Sequence, residues 1–320
     1  MDIQVPIQAG VPMSIEGLNL SLSALCPASC VFCPTERGTR DACFMEPSLV
    51  VKLVEEASSP DFPWKVKQVQ TGENGEASCS PFLLDNLRTI RKYLPRAKVN
   101  LTSNLYSLTQ RQAESIMRER LLDSLQLNID GHNAETYEAQ KGISYKRVMG
   151  NLRMLLHERK THHPSFSVGI NVLTLHDYCV RAKKRFGQTP MNAPEEIPFS
   201  SHELVEKSLR KQKWMTDDIH IRKSPSFFWA ERGMDVDAVN DCCPQLPRIL
   251  KEAFISPSGL WYPCCLDSNQ DQAYGSVKEN TLQEIHDSEA RQKFIQRLQA
   301  GEFEEIGYPC NRSAFCKGMK

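Results

Sequence analysis

From about Gly17 to Arg222, short apolar runs alternate with amphipathic helical runs, the pattern of parallel strands each followed by a covering helix. Six runs are short and apolar enough for buried parallel strands: Leu18 to Leu22, Val66 to Gln70, Lys98 to Thr102, Ser124 to Ile129, Ser167 to Val172 and Asp218 to Arg222. Between them, Leu49, Val50, Leu53, Val54 and Ala57 recur on one helical face after Pro47, and Leu83, Leu84, Leu87 and Ile90 do the same further on. These stripes read as core. The predicted fold is therefore α/β, a partial (β/α)6 TIM-like barrel over residues 17–230 behind a short lead-in, 1–16. Before the last strand the spacing stretches, and Arg181, Lys183, Lys184 and Arg185 precede a proline-containing segment that reads as a loop insertion. Its basic residues are either a solvated face or a contact for a substrate phosphate or carboxylate.

After Trp229 the pattern changes to a Cys-Cys pair, a hairpin-like stretch from Ile255 to Cys265, a helical run from Thr281 to Gln299 and a cysteine-bearing tail. This predicts a second, smaller domain over 231–320.

Composition changes the picture mainly by exclusion. Hydrophobic residues make up 40% of the chain and charged residues 24%, and 39 basic residues balance 39 acidic ones, so nothing in the total charge points to nucleic acid or membrane. No apolar stretch reaches the ~20 residues that span a bilayer. The first fifteen residues lack the basic start and apolar run of a signal peptide, and a cytoplasmic protein is expected. In that reducing compartment twelve cysteines ask for metal or redox chemistry rather than a disulfide framework.

Cys26, Cys30 and Cys33 form C-x3-C-x2-C directly after the first strand, in a loop at the C-terminal mouth of the sheet, where barrel active sites are built. Three thiolates can hold a [4Fe-4S] cluster and leave one iron open. Zinc, the alternative, normally takes four ligands and favours paired C-x2-C knuckles. With an aromatic, Phe32, before the last cysteine, the motif resembles that of the radical S-adenosylmethionine (SAM) superfamily. The resemblance implies a cluster whose open iron chelates the methionine part of SAM, reductive cleavage to a 5′-deoxyadenosyl radical, and hydrogen abstraction from substrate.

Further segments resemble the family in order. Thr71-Gly72-Glu73 is similar to its glycine-glutamate motif, in which backbone and carboxylate receive the methionine ammonium, and Gly75-Glu76 repeats it; Glu73 is the first choice for that role and Glu76 the second. Thr102-Ser103-Asn104 resembles the Thr-Asn-Gly turn, and Asn128-Ile129-Asp130-Gly131 the Ser-x-Asp-Gly segment. The resemblance implies that Ser103, Asn104 and Asn128 contact the cofactor, with Asn171 and Arg222 as further candidates, although Asn and Asp at strand ends also serve as turn formers. Cys79, near the mouth, is a candidate hydrogen donor to a product radical, or else a small buried hydrophobe. The histidines show no ligand spacing.

Cys243 and Cys264 bracket Gly259 as C-x15-G-x4-C, and Cys310 and Cys316 follow. Four thiolates would close an auxiliary cluster, with a structural zinc as the alternative. The arrangement resembles the SPASM or shortened "twitch" extension of the superfamily, which implies one auxiliary [4Fe-4S] cluster with Gly259 in the turn of a hairpin whose strands carry two ligands. Cys242 adjoins Cys243 and Cys265 adjoins Cys264, and one of each pair should ligate. The expected function is radical oxidation or a related tailoring of a small molecule, with a reductant protein such as flavodoxin or ferredoxin as partner. No leader-binding region is expected ahead of the first cysteine loop, which favours a metabolite over a peptide. A peptide or protein maturase and a non-catalytic iron-sulfur or zinc protein are the alternatives.

Overall fold

A computed structural model describes residues 14–31, 33, 43–174, 176, 198–223, 243 and 245–311. Phe32, the run Arg181 to Arg185, Trp229, Cys242 and Cys316 lie outside the described residues.

Among the described residues, nine strands form one sheet in the order β6-β5-β4-β3-β2-β1-β7-β8-β9. The first six are β1 (Gly17–Leu20), β2 (Gln68–Thr71), β3 (Lys98–Ser103), β4 (Ser124–Asn128), β5 (Ser167–Val172) and β6 (His220–Lys223), all parallel to their neighbours. Six parallel strands were expected at these places, with bounds differing by up to two residues. Helices α1 (Pro47–Ser58), α2 (Leu83–Tyr93), α3 (Gln110–Arg118), α4 (Ala134–Lys141), α5 (Tyr145–His162) and α6 (His202–Arg210) lie between them. Their starts follow from local chemistry: Thr109 and Asn133 build capping boxes with Gln112 and Thr136, and Ser144 and Ser201 cap α5 and α6.

The alternation along the strands separates two faces. Leu18, Leu20, Val69, Val99, Leu101, Leu125, Leu127, Val168, Ile170 and Val172 are buried in one core with the helix stripes Leu49 to Ala57 and Leu83 to Ile90. Each such side chain removed from water contributes roughly 1.5–3 kcal/mol. The opposite face is polar. There Gln70 donates to Thr102 Oγ1 (2.9 Å), Ser124 to Asn100 Oδ1 (2.7 Å) and Asn19 to Glu252 Oε2 (2.8 Å).

The C-terminal segment joins the same sheet. After α7 (Leu246–Lys251), β7 (Glu252–Ile255) pairs in parallel with β1, Gly17 opposite Glu252, and so extends the barrel sheet by a seventh parallel strand. β8 (Leu260–Tyr262) and β9 (Gly275–Ser276) continue it antiparallel. Gly259, at φ +93°, makes the β7–β8 turn as expected. The single helical run expected from Thr281 to Gln299 is two helices, α8 (Leu282–His286) and α9 (Glu289–Ala300), followed by α10 (Phe303–Ile306). Ser288 breaks the run because its side chain caps α9 at the Arg291 N–H.

Candidate active site

The first cysteine loop leaves β1 at the C-terminal edge of the sheet and is pinned from two sides. Ser29 and Val31 N–H groups donate to the Lys141 and Gln140 carbonyls at the end of α4 (2.8 and 3.0 Å), and Glu76 N–H donates to the Leu25 carbonyl (2.8 Å). Two glycines make this fit possible. A Cβ on Gly142 would lie 1.9 Å from Ser29 Oγ, and one on Gly75 would lie 2.0 Å from the Ser23 carbonyl oxygen, with both backbones in the left-handed region.

Cys26, Cys30 and Cys33 are half-buried in this loop, near enough to act on one another electrostatically. Desolvation pushes the Cys26 thiol up to about 12 and the Cys30 thiol up to about 11. Asn104 Nδ2 lies 3.4 Å from Cys26 Sγ. The Tyr137 hydroxyl, fully buried and close to Cys30, has no hydrogen-bond partner. No three His, Cys, Asp or Glu side chains among the described residues converge on a single metal-ion position. Three soft thiols gathered in one loop, with a buried unpartnered hydroxyl in the same region, suit an iron-sulfur cluster.

Beneath the loop, Lys141 and Asp130 form a buried ion pair at 2.6 Å. Burial works against the Lys141 cation, but Asp130 outweighs it and holds the ammonium above the usual lysine range. Asp130 also accepts the Leu173 N–H (2.7 Å), so one carboxylate ties the end of β4 to β5 and to the helix that holds the cysteine loop. Neither partner's pairing was foreseen from sequence.

The two glutamates separate. Glu76 is buried at 1% exposure, and its carboxylate accepts from Ser78 N–H, Ser78 Oγ, Ser103 Oγ (2.6 Å) and the Asn104 N–H (2.6 Å), beside Cys26 and Cys79. Glu73, the first choice from sequence, turns the other way, to Arg248 on α7 (3.3 Å). The reason is backbone: Gly72 at φ +86° and Gly75 at φ +97° turn the chain twice between them, and a Cβ on Gly72 would lie 2.2 Å from the Thr102 carbonyl oxygen. Burial pushes the Glu73 carboxyl up, against the pull of Arg248.

Of the other candidates, Ser103 and Asn104 end β3 at Glu76, and the left-handed turn there falls at Leu105 (φ +61°). Asn128 and Asn171 are register neighbours on β4 and β5, and Asn171 is in turn opposite an exposed Arg222 on β6. Cys79 ends a 3-10 turn (Ala77–Cys79), half-buried, its thiol donating to Ser107 Oγ (3.3 Å) and pushed up by burial.

In the C-terminal region Cys243, Cys264 and Cys310 are all buried. Cys243 precedes α7 rather than standing on a hairpin strand, and Cys264 follows β8 in a turn. The adjacent pair at 264 and 265 divides. Cys264 and Cys310 both act electrostatically on the buried Tyr274, whereas Glu73 and Arg248 act on Cys265 and Cys265 acts on Tyr262. Tyr262 is fully buried and reaches the barrel mouth, where Asn74 Nδ2 donates to its hydroxyl (3.0 Å).

Comparison with known proteins agrees with this architecture. The Radical SAM superfamily model matches residues 20–180, and the SPASM iron-sulfur cluster-binding domain model matches residues 243–312. The chain belongs to the radical SAM superfamily, with a C-terminal SPASM-type iron-sulfur domain. These domains indicate [4Fe-4S] clusters and use of SAM. Among solved structures, BtrN in complex with AdoMet and 2-DOIA is 15% identical with a TM-score of 0.55, over 91% of this chain and 89% of BtrN. Streptococcus suis SuiB bound to precursor peptide SuiA is 12% identical with a TM-score of 0.57, over 95% and 71%. The enzyme anSMEcpe with bound AdoMet and Cp18Cys peptide is 14% identical with a TM-score of 0.55, over 94% and 88%. At these identities the likeness is one of fold. A search of curated proteins found no match. No helix among the described residues is long and apolar enough to cross a membrane.

Proposed function

We propose that this chain is a radical SAM enzyme that abstracts a hydrogen atom from a small polar molecule held against the polar face of the sheet, in an oxidation or related tailoring step. The observation that carries this reading is the row of amide and hydroxyl side chains on that face, Gln70, Asn100, Thr102, Gln126, Asn128 and Asn171, each only half-buried. Polar groups left partly open on such a face are suited to hydrogen-bond a hydroxylated or aminated ligand. That BtrN, of similar length and fold, is described with 2-DOIA supports the same direction.

When bound, the open-iron cluster and SAM supply one-electron cleavage of the sulfonium and the 5′-deoxyadenosyl radical. The chain's own residues bind and orient. Cys26, Cys30 and Cys33 hold the cluster, and the Lys141–Asp130 pair fixes their loop. Glu76, with Ser103 and Asn104, presents a buried carboxylate where the methionine ammonium of SAM would be received. Asn128, Asn171 and Arg222, side by side across β4, β5 and β6, are further candidates to contact the cofactor. Cys243, Cys264 and Cys310, with Cys316, hold one auxiliary [4Fe-4S] cluster, and a flavodoxin or ferredoxin in the cytoplasm supplies the electron.

The test is anaerobic reconstitution with iron and sulfide, then dithionite and SAM, with 5′-deoxyadenosine as readout. Formation that rises with the small-molecule fraction of an extract supports the reading. Stimulation by peptides alone would make the chain a peptide maturase, and no 5′-deoxyadenosine from a cluster-replete protein would make it non-catalytic.

A further inference from the structure

Tyr274 stands one residue before β9, and its side chain is only 8% exposed. Its ring is clamped edge-on by Trp261 (centroids 6.4 Å apart) and Phe294 (5.4 Å), and its backbone N–H donates to the Trp261 carbonyl (2.7 Å). The ring therefore has one orientation. Its hydroxyl oxygen is buried without a hydrogen-bond partner. The chain beside it is tied to both cysteine segments: Gln272 donates from Nε2 to the Tyr308 carbonyl (2.9 Å), two residues before Cys310, and from its backbone N–H to Asp267 (3.0 Å), whose own N–H donates to the Cys264 carbonyl (3.0 Å), and both thiols act electrostatically on the tyrosine. A tyrosine hydroxyl taken out of water with nothing to bond is costly, so this atom calls for a partner.

We propose that the Tyr274 hydroxyl donates a hydrogen bond to a sulfur of the auxiliary cluster held by Cys264 and Cys310, and so sets that cluster's reduction potential. The inference rests on the reading that these thiols hold a cluster. A hydrogen bond to sulfur stabilises the more negatively charged, reduced cluster, and hydrogen bonding to the sulfurs is one of the levers on the potentials of such clusters. Trp261, Phe294 and the backbone bond act as the positioning frame that keeps the hydroxyl aimed. Arg291, its guanidinium 5.7 Å from the Trp261 ring, is among the charged groups acting on Tyr274.

The test uses the full chain with Cys26→Ala, Cys30→Ala and Cys33→Ala, so that only the auxiliary cluster remains, with iron content and a midpoint potential followed by electron paramagnetic resonance. Tyr274→Phe keeps the ring and removes the donor. It should lower the potential by the equivalent of about a tenfold change in the oxidised-to-reduced ratio, ~59 mV for one electron. Incorporating 3-fluorotyrosine at 274 makes the hydroxyl a stronger donor and should shift the potential the opposite way. An unchanged potential in Tyr274→Phe overturns the inference. Should that variant not assemble its cluster, the fluorotyrosine protein decides, and an unmoved potential there overturns it equally. Absence of iron from the triple-alanine chain itself would instead sink the cluster assignment, an outcome told apart by iron analysis alone.

Discussion

Arg248, on the short helix ahead of β7, places its guanidinium 3.3 Å from the Glu73 carboxylate just past the end of β2 and 2.8 Å from Glu252 on β7. It also reaches Asn19 Oδ1 (3.4 Å) and covers the Phe254 ring at 5.0 Å. One cation thus joins β1, β2 and β7 at the seam where the iron-sulfur segment meets the barrel. Burial disfavours the charge, but Glu252 and Glu73 hold it.

Removing that cation leaves two carboxylates facing each other. Arg248→Met should cost more than the ~1 kcal/mol of an exposed pair and less than the ~3–5 kcal/mol of a fully buried one, since the guanidinium is 36% exposed. Adding Glu73→Gln should restore part of the loss. Denaturant titration of the four proteins in the cycle measures this, and strict additivity of the two changes would show that the contact carries no energy.

Glu76 and Glu73 should behave oppositely toward SAM. Glu76→Gln sets an amide against four donor contacts and removes the buried charge, so affinity for SAM should fall at least tenfold, about 1.4 kcal/mol. Glu73→Gln should leave binding within a factor of a few. Equilibrium binding to the reconstituted proteins separates them, and the reverse ranking would return the role to Glu73.

Which glutamate does what marks the limit of the sequence pattern. Both follow a glycine, and only the two left-handed turns at Gly72 and Gly75 decide where each side chain points. The strands and helix stripes were legible because alternation and the 3.6-residue period are local: the five residues expected on the first helix stripe are the five buried on α1. The contacts that assemble the site are not local. Arg248 and Glu73 are 175 residues apart, and nothing around either announces the other. β7 escaped notice because Glu252 to Ile255 follow a helix with no residue between, and the first of them faces the polar side. The break at Ser288, by contrast, was readable as a helix N-cap and was overridden by the length of the amphipathic run.

The Lys141–Asp130 pair is enclosed, with side-chain exposures of 5% and 0%, so breaking it on one side should be severe. Lys141→Met is expected to cost about 3–5 kcal/mol by stranding the Asp130 charge, and Lys141→Met with Asp130→Asn clearly less, since asparagine can still accept the Leu173 N–H. Thermal melts of the cluster-free chains give the comparison without interference from iron. Equal losses in the single and double variants would contradict a stranded charge.

His286 supplies a pH dependence. It is 4% exposed, its ring 4.2 Å from that of Trp64, and burial lowers its pKa below the ordinary 6.5 even though Asp287 pulls the other way. The unfolded chain then binds a proton that the folded chain resists. Its contribution is full above pH 6.5 and is lost as pH falls through the lowered value. His286→Phe keeps a ring against Trp64 and removes the proton site, so the variant should lose less stability than the parent between pH 7 and pH 5. Urea midpoints across that range test the sign, and a steeper loss in the variant would refute it.

Cys264 and Cys265 are the sharpest test of the second cysteine group. Adjacent residues in one turn sit in different electrostatic company: Cys264 acts with Cys310 on the buried Tyr274, whereas Cys265 is raised by burial and by the Glu73 carboxylate and lowered by Arg248. A thiolate that ligates iron must give up its proton, which burial and the neighbouring Glu73 carboxylate oppose at Cys265. Cys264→Ala should therefore lose the auxiliary cluster, about four irons per chain by the stoichiometry of a [4Fe-4S] centre. Cys265→Ala should retain it with an unchanged absorption spectrum. If Cys265→Ala loses the iron and Cys264→Ala keeps it, the ligand lies on the barrel side of the turn and the place assigned to Tyr274 falls with it.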